Sequence, residues 1–236
     1  MPNWASSKVT ITGEPSVVTE IKNKLATPYP NPFADETNLF GGERELMVKG
    51  EFLLWNIIAP TDLNAYLEKD KKAFQEIVKA NFTPETKSPK EKAEELVTRM
   101  NEFQESLKDG SWIAELQHKL ETEQGWYEWN CREWGTKWEL GDDSKLEYEV
   151  PSPDGLELGY RLSSAWSPPY EALQKLASQY PQITISLISI DENDCWAMEA
   201  EWVNGKEIYA DDLDITHELG MDLRGYCNLE CCNDYE

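Results

Sequence analysis

The first clear pattern along the chain is Lys8-Val9-Thr10-Ile11-Thr12-Gly13, which alternates polar and apolar positions and stops at glycine. Alternation with β-branched residues predicts a strand with one buried face. Pro15 suits a first helical turn, and Val17, Val18, Ile21 and Leu25 recur at helical spacing up to Thr27-Pro28. From Tyr29 to Gly50 the chain is rich in Pro, Gly, Asn and Asp and reads as loop with room for one short element. Phe52 to Ile58 is a short apolar run closed by Pro60, after which Leu63, Leu67, Phe74, Ile77 and Val78 take helical spacing over 62–82. Ser88-Pro89-Lys90-Glu91 sets a capping box before Leu96, Met100, Phe103 and Leu107, predicting a helix that ends near Gly110. Ile113, Leu116 and Leu120 then share the face of a further amphipathic segment.

Beyond Gly125 the chain turns aromatic and acidic. Leu146 to Val150 and Leu156 to Trp166 read as two strands joined across Pro151-Ser152-Pro153-Asp154-Gly155. Ser167-Pro168 supplies an N-cap and a first-turn proline, and Tyr170, Leu173, Leu176, Ala177 and Tyr180 form one helix face that stops before Pro181. Ile183 to Ile190 and Cys195 to Val203 are strands by β preference. The order predicts an α+β protein: a ferredoxin-like antiparallel sheet with helices on one face, plus a mainly helical insertion. Residues 1–28 and 126–210 would form the α+β domain, 29–125 the insertion, and 211–236 an acidic, Cys-containing C-terminal tail.

Composition narrows the class. Of 236 residues, 40% are hydrophobic and 10 are Trp, enough apolar material for a buried core. No stretch approaches the roughly 18 consecutive apolar residues of a membrane span, and Met1-Pro2-Asn3-Trp4 has neither a basic nor an apolar leader, so the expectation is a cytoplasmic protein with no membrane partner. Five cysteines without framework spacing fit a reducing compartment.

Charge changes the picture most. The formal net charge is −23; residues 126–236 hold 7 basic against 24 acidic residues, net −17, whereas the first 125 residues carry only −6. Such a field repels nucleic acid and anionic membrane and attracts basic protein surfaces. Glu147 and Glu149, two apart in one predicted strand, are expected to share a face, as are Glu199 and Glu201 in another. Asp211, Asp212 and Asp214 continue the run.

Three blocks carry a family resemblance. Met1-Pro2-Asn3-Trp4 with Val9-Thr10-Ile11-Thr12-Gly13, then Trp126-Tyr127-Glu128-Trp129-Asn130 with Trp134-Gly135-Thr136-Lys137-Trp138, then Ala165-Trp166-Ser167-Pro168-Pro169, together resemble the YubB ferredoxin-like domain family. The resemblance covers residues 1 to about 25 and 126 to about 203. It implies an α+β fold and a home in phages, plasmids and other mobile elements, without an established reaction. The sequence departs from the family pattern at Ala5, where Cys often follows the opening motif.

Candidate chemistry is sparse. The Trp126, Trp129, Trp134 and Trp138 cluster would stack bases or grip a peptide, or simply pack around Gly135; the surrounding Glu128, Glu133 and Glu139 disfavour direct nucleic-acid binding. His217 with Cys227, Cys231 and Cys232 offers zinc-type ligands but lacks paired CxxC spacing, so no metal and no cofactor are assigned. His118 and His217 are the sole histidines, and no nucleophile elbow, phosphate loop or His-x-x-x-His motif is present, so no catalytic residue is named. The expectation is a non-enzymatic protein that blocks a basic, nucleic-acid-binding surface of a host defence complex, of the anti-CRISPR or anti-restriction type, with Trp166, Trp196 and Trp202 as anchors wherever exposed. Two other readings stay open: a small regulatory or ligand-binding module whose acidity serves solubility, and an enzyme with an unfamiliar site. Oligomeric state is left open.

Overall fold

The computed structural model describes residues 3–34, 45–67 and 125–228. The chain divides into two compact units, residues 1–61 with 130–236, and residues 62–129. In the second unit, Tyr66 meets Trp129 edge-on at 5.5 Å between ring centroids. The helices expected over 88–110 and 112–120, and most of that over 62–82, lie outside the described residues.

The first unit is built on a six-stranded antiparallel sheet. Its strands are β1 (Trp4–Gly13), β4 (Lys145–Ser152), β5 (Gly155–Ala165), β6 (Thr184–Asp191), β7 (Ala197–Val203) and β8 (Lys206–Asp212), arranged β4-β5-β1-β6-β7-β8. A two-residue pair, β2 (Tyr29–Pro30) with β3 (Met47–Val48), stands apart from it. The mixed α+β class expected from the sequence is observed.

Period-two alternation decides which side chains enter the core. In β1, Ala5, Ser7, Val9 and Ile11 are buried, and the register sets Val9 against Tyr160 and Leu187, and Ile11 against Leu158 and Ile185. Helix α1 (Pro15–Leu25) lays Val18, Ile21 and Leu25 on the unit's core, and α3 (Tyr170–Gln179) adds Ala172, Leu173, Leu176 and Ala177. Full burial of each Leu or Ile side chain is worth about 1.5–3 kcal/mol, so this layer is a large source of the unit's apolar stabilisation.

Local signals explain the helix ends. The Glu14 carboxylate accepts from the backbone N–H of Ser16 and Val17, ahead of Pro15 at the first helical position. Helix α3 begins later than Ser167-Pro168 suggested. Ser167 Oγ donates to the Gly135 carbonyl instead of capping, and Pro169 occupies the N-cap. Ahead of α3, α2 (Trp126–Glu133) leads into Trp134, whose indole is buried and donates to the Ile58 carbonyl at 3.0 Å.

Two boundaries differ from the sequence reading. Residues 29–34 and 45–61 pack with the sheet unit: Phe52, Leu53 and Leu54 are buried, and the 3-10 turn Leu54–Asn56 is held by the Glu139 carboxylate, which accepts from Leu54 N, Trp55 N, Leu140 N and Tyr29 Oη. Residues 211–228 are not a plain tail. Strand β8 runs through Asp212, and α4 (His217–Arg224) covers part of the sheet face opposite α1 and α3.

That helix has ordinary causes. Thr216 Oγ1 accepts from Leu219 N, Gly225 closes the end at φ 80°, and Leu223 packs on Ile190 and Ala197 with Ile188, Leu213, Ile215 and Leu219 around them. Cations then pin it: Lys8 reaches Asp222 at 3.4 Å, and Arg161 Nη1 donates to the terminal carbonyls of Asp222 and Leu223.

Candidate partner-binding face

Strand β7 fixes the geometry of the acidic surface. Ala200 and Trp202 turn toward α3, so Glu199 and Glu201 turn to the other face. Across the strand pair, Glu199 stands opposite Asp211 and Glu201 opposite Tyr209. On the inner side their neighbours are Ile188 and Ser186, and Ser186 Oγ lies 3.5 Å from the Glu201 carboxylate. Among the described residues no ion pair reaches Glu199, Glu201, Asp211, Asp212 or Asp214. Burial first, then the charges of Glu199, Glu201 and Asp211, raise the Tyr209 phenol above its usual range. The expected row on this strand is therefore formed, with Asp211 joined to it.

The cations of residues 126–236 are largely spent elsewhere. Arg132 and Lys175 both engage Glu133, Arg161 holds Glu147, and Arg224 holds Asp194. Lys137 lies between the rings of Trp138 and Trp166, 4.5 Å from each centroid. The row from β4 to β8 runs Lys145, Arg161, Lys8, Ile188, Glu199, Asp211. Along this row the cations stand toward β4, where Glu147 and Asp222 pair with Arg161 and Lys8, and the carboxylates without an ion pair stand toward β8.

Several expected site residues are placed differently. Glu147 and Glu149 do not share a face. The register slips between Leu146 and Tyr148, so Glu147 is the extra residue of a β-bulge. It pairs with Arg161 on the α4 side at 2.7 Å, while Glu149 pairs with Lys22 of α1 at 2.5 Å. Asp212, aligned with Met198, stands on the face opposite Asp211, and Asp214 is exposed in the irregular segment before α4.

The tryptophans divide three ways. Trp202 is 0% exposed; its Nε1 donates to Gln174 at 2.8 Å and its ring meets Tyr170, so it is a core residue and no anchor. Its neighbour Glu201 already placed it on the inner face, since adjacent strand residues point oppositely. Trp196 is half-buried, with its backbone N–H on Asp191. Trp166 is 46% exposed and has φ 74°, a left-handed backbone that costs a bulky residue energy. Of the central aromatic cluster, Trp134 is core, while Trp138 packs against Trp4 at 6.4 Å.

One network was not anticipated. The Asp191 carboxylate accepts from Asn3 Nδ2 at 3.0 Å and from the N–H of Asn193, Cys195 and Trp196 at 3.3, 2.6 and 3.2 Å. Asn193 Nδ2 returns a bond to Asn3 Oδ1, and Trp166 N donates to the Asn3 carbonyl. The opening Asn-Trp motif thus ties the chain start to the β6–β7 loop. Buried Arg224 adds a bond to the Asp191 carbonyl and an ion pair to Asp194 at 2.6 Å. The Asp191-Glu192-Asn193-Asp194 spacing of short polar side chains was the available sign.

His217 opens α4 and Cys227 follows its end, with the eight-residue helix, about 12 Å long at 1.5 Å per residue, between them. Among the described residues no three His, Cys, Asp or Glu side chains converge as metal ligands, and Cys231 and Cys232 lie outside them. Also among those residues, no helix is long and apolar enough to cross a membrane.

No family model matches the chain, and no curated protein matches it. One similar solved structure is that of the protein api92 from Yersinia pseudotuberculosis, of family DUF1281. It is 11% identical, over 92% of this chain and 99% of that one, with a TM-score of 0.39.

Proposed function

We propose that this chain is a non-enzymatic protein of a phage or other mobile element, which binds a basic, nucleic-acid-binding surface of a host defence complex and blocks it. The anti-CRISPR or anti-restriction type is the concrete form. The observation that carries the reading is the β7–β8 face, where Glu199, Glu201 and Asp211 converge on Tyr209 without an ion pair among the described residues. Carboxylates held on a sheet, with Lys8 and Arg161 of the same face already paired, present a negative field that a Lys- and Arg-lined groove would accept in place of phosphate. Trp166 supplies an exposed aromatic of the kind that anchors interfaces.

The ferredoxin-like assignment belongs to the same reading. It is supported by the order β4-β5-β1-β6 with α1 and α3 on one face, the arrangement of a split β-α-β unit. So is kinship with the YubB ferredoxin-like family, supported by the role Asn3 plays in closing the β6–β7 loop.

The test is capture of binding partners from host lysate on the wild-type chain and on E199K/E201K/D211K, at low and moderate salt. A basic nucleic-acid-associated protein should be retained by the wild type, released as salt rises and by competing nucleic acid, and lost by the variant. Retention that ignores both salt and charge reversal would sink the reading.

A further inference from the structure

Among the described residues strand β8 ends the sheet. No described strand follows it in the order β4-β5-β1-β6-β7-β8, and every residue from Lys206 to Asp212 except Tyr209 is exposed. An edge strand presents a row of backbone N–H and C=O groups that pair with any extended chain admitted to them. The register slips once, between Glu201 and Trp202, which makes Ile208 the extra residue and leaves it 58% exposed. Beyond that slip, Tyr209-Ala210-Asp211-Asp212 pairs regularly with β7 and offers a four-residue edge.

The charges on this edge select its occupant. One face carries Asp211 with Glu199 and Glu201 behind it; the other carries Glu207 and Asp212. Lys206 is the single cation on the strand. Antiparallel pairing with the same strand of a second copy would set carboxylates against carboxylates, which cross-strand neighbours do not tolerate. The same arrangement favours a strand with Lys or Arg at alternate positions.

We propose that β8 is a docking edge for an extended, basic segment of a partner protein, which adds to the sheet as a seventh strand. Main-chain bonds to residues 209–212 would supply affinity and register. Alternate basic side chains over Glu199, Glu201 and Asp211 would supply selectivity, by excluding acidic and like-charged strands. This deepens the reading of the acidic face above and rests on it for the choice of a basic partner, while the pairing itself depends on the open backbone edge.

The probe is the peptide Lys-Val-Lys-Val-Lys-Val-Lys, titrated at low salt against the full chain. Two further versions carry N-methyl groups on the Lys amides or on the Val amides, one set on each edge of the extended peptide. Edge pairing predicts that one methylated version binds at least tenfold more weakly than the parent. It also predicts at least tenfold weaker binding of the parent to E199K/E201K/D211K, with E199Q/E201Q/D211N as an isosteric substitute if the lysine variant melts early. Equal binding of all three peptides, together with loss on charge reversal, would overturn edge pairing and leave the acidic-face reading intact. Methylation sensitivity without charge sensitivity would support the edge and overturn the choice of a basic partner. Absence of parent binding to the wild type would overturn the proposal outright.

Discussion

Replacing Asp191 by Asn should weaken the fold strongly at neutral pH and hardly at all in acid. The carboxylate takes four hydrogen bonds, one from Asn3 and three from successive N–H groups of the β6–β7 loop. An Asn side chain offers one acceptor oxygen, and its amide nitrogen faces donors, so about two charge-assisted bonds are lost. Bonds to charged groups contribute about 1.5–3 kcal/mol each. Rehydration of the exposed Cys195 end returns part of that loss, leaving a cost of about 3 kcal/mol. Burial works to raise the Asp191 pKa, but the bonds from Asn3, Trp196, Cys195 and Asn193 outweigh it, and the carboxyl stays below its usual range. A folded pKa below the unfolded value of about 3.9 means the contribution is complete above that pH and lost as pH falls through the folded pKa. The assay is urea unfolding of wild type and D191N from pH 7 to about pH 2.5. With a slope of about 3 kcal/mol/M for a chain of this size, the midpoint gap should be about 1 M at pH 7 and shrink in acid. A gap that stays constant with pH, or is absent at pH 7, would refute the assignment. Non-additivity with N3A would locate the coupling.

Trp166 should reverse the usual order of small residues: relief of its left-handed backbone makes W166G more stable than W166A by about 1 kcal/mol in thermal unfolding. In E199Q/E201Q/D211N the Tyr209 phenol should titrate at lower pH than in the wild type, followed by ultraviolet absorbance, because three of its raising charges are gone. The same variant should melt higher at low salt, with the difference closing as salt screens the repulsion. R161A should expose the last turn of α4 to hydrogen exchange while β1, β5 and β6 stay protected, since Arg161 holds the two terminal carbonyls of that helix.

The central strands and both core helices were legible because each follows a single periodicity from end to end, as in Val9-Thr10-Ile11 and Leu173 to Ala177. Helix α4 was hidden by composition. Its acids drew the eye, while Thr216, Leu219, Leu223 and Gly225 spelled a capped amphipathic turn. The face shared by Glu199 and Glu201 follows from alternation alone, yet the same rule failed for Glu147 and Glu149, because one inserted residue resets the period. Trp202 was misplaced by counting it as an aromatic instead of by its position beside Glu201. The Asn3–Asp191 link joins residues 188 apart in sequence, and no local pattern encodes such a partner.

Strand β1 lies in the middle of the sheet, between β5 and β6, although it comes first in chain order among the described strands. Its hydrogen-bonding neighbours are made some 140 to 190 residues later in synthesis. The growing chain therefore carries an amphipathic strand without these two sheet neighbours until β5 and β6 have been made. Folding of this unit should be slow for its size, since contacts of that sequence separation carry the largest loop-closure cost. Expression at low temperature or with a holding chaperone would protect the waiting strand, and deleting the first ten or so residues would split the sheet into two edges instead of trimming one.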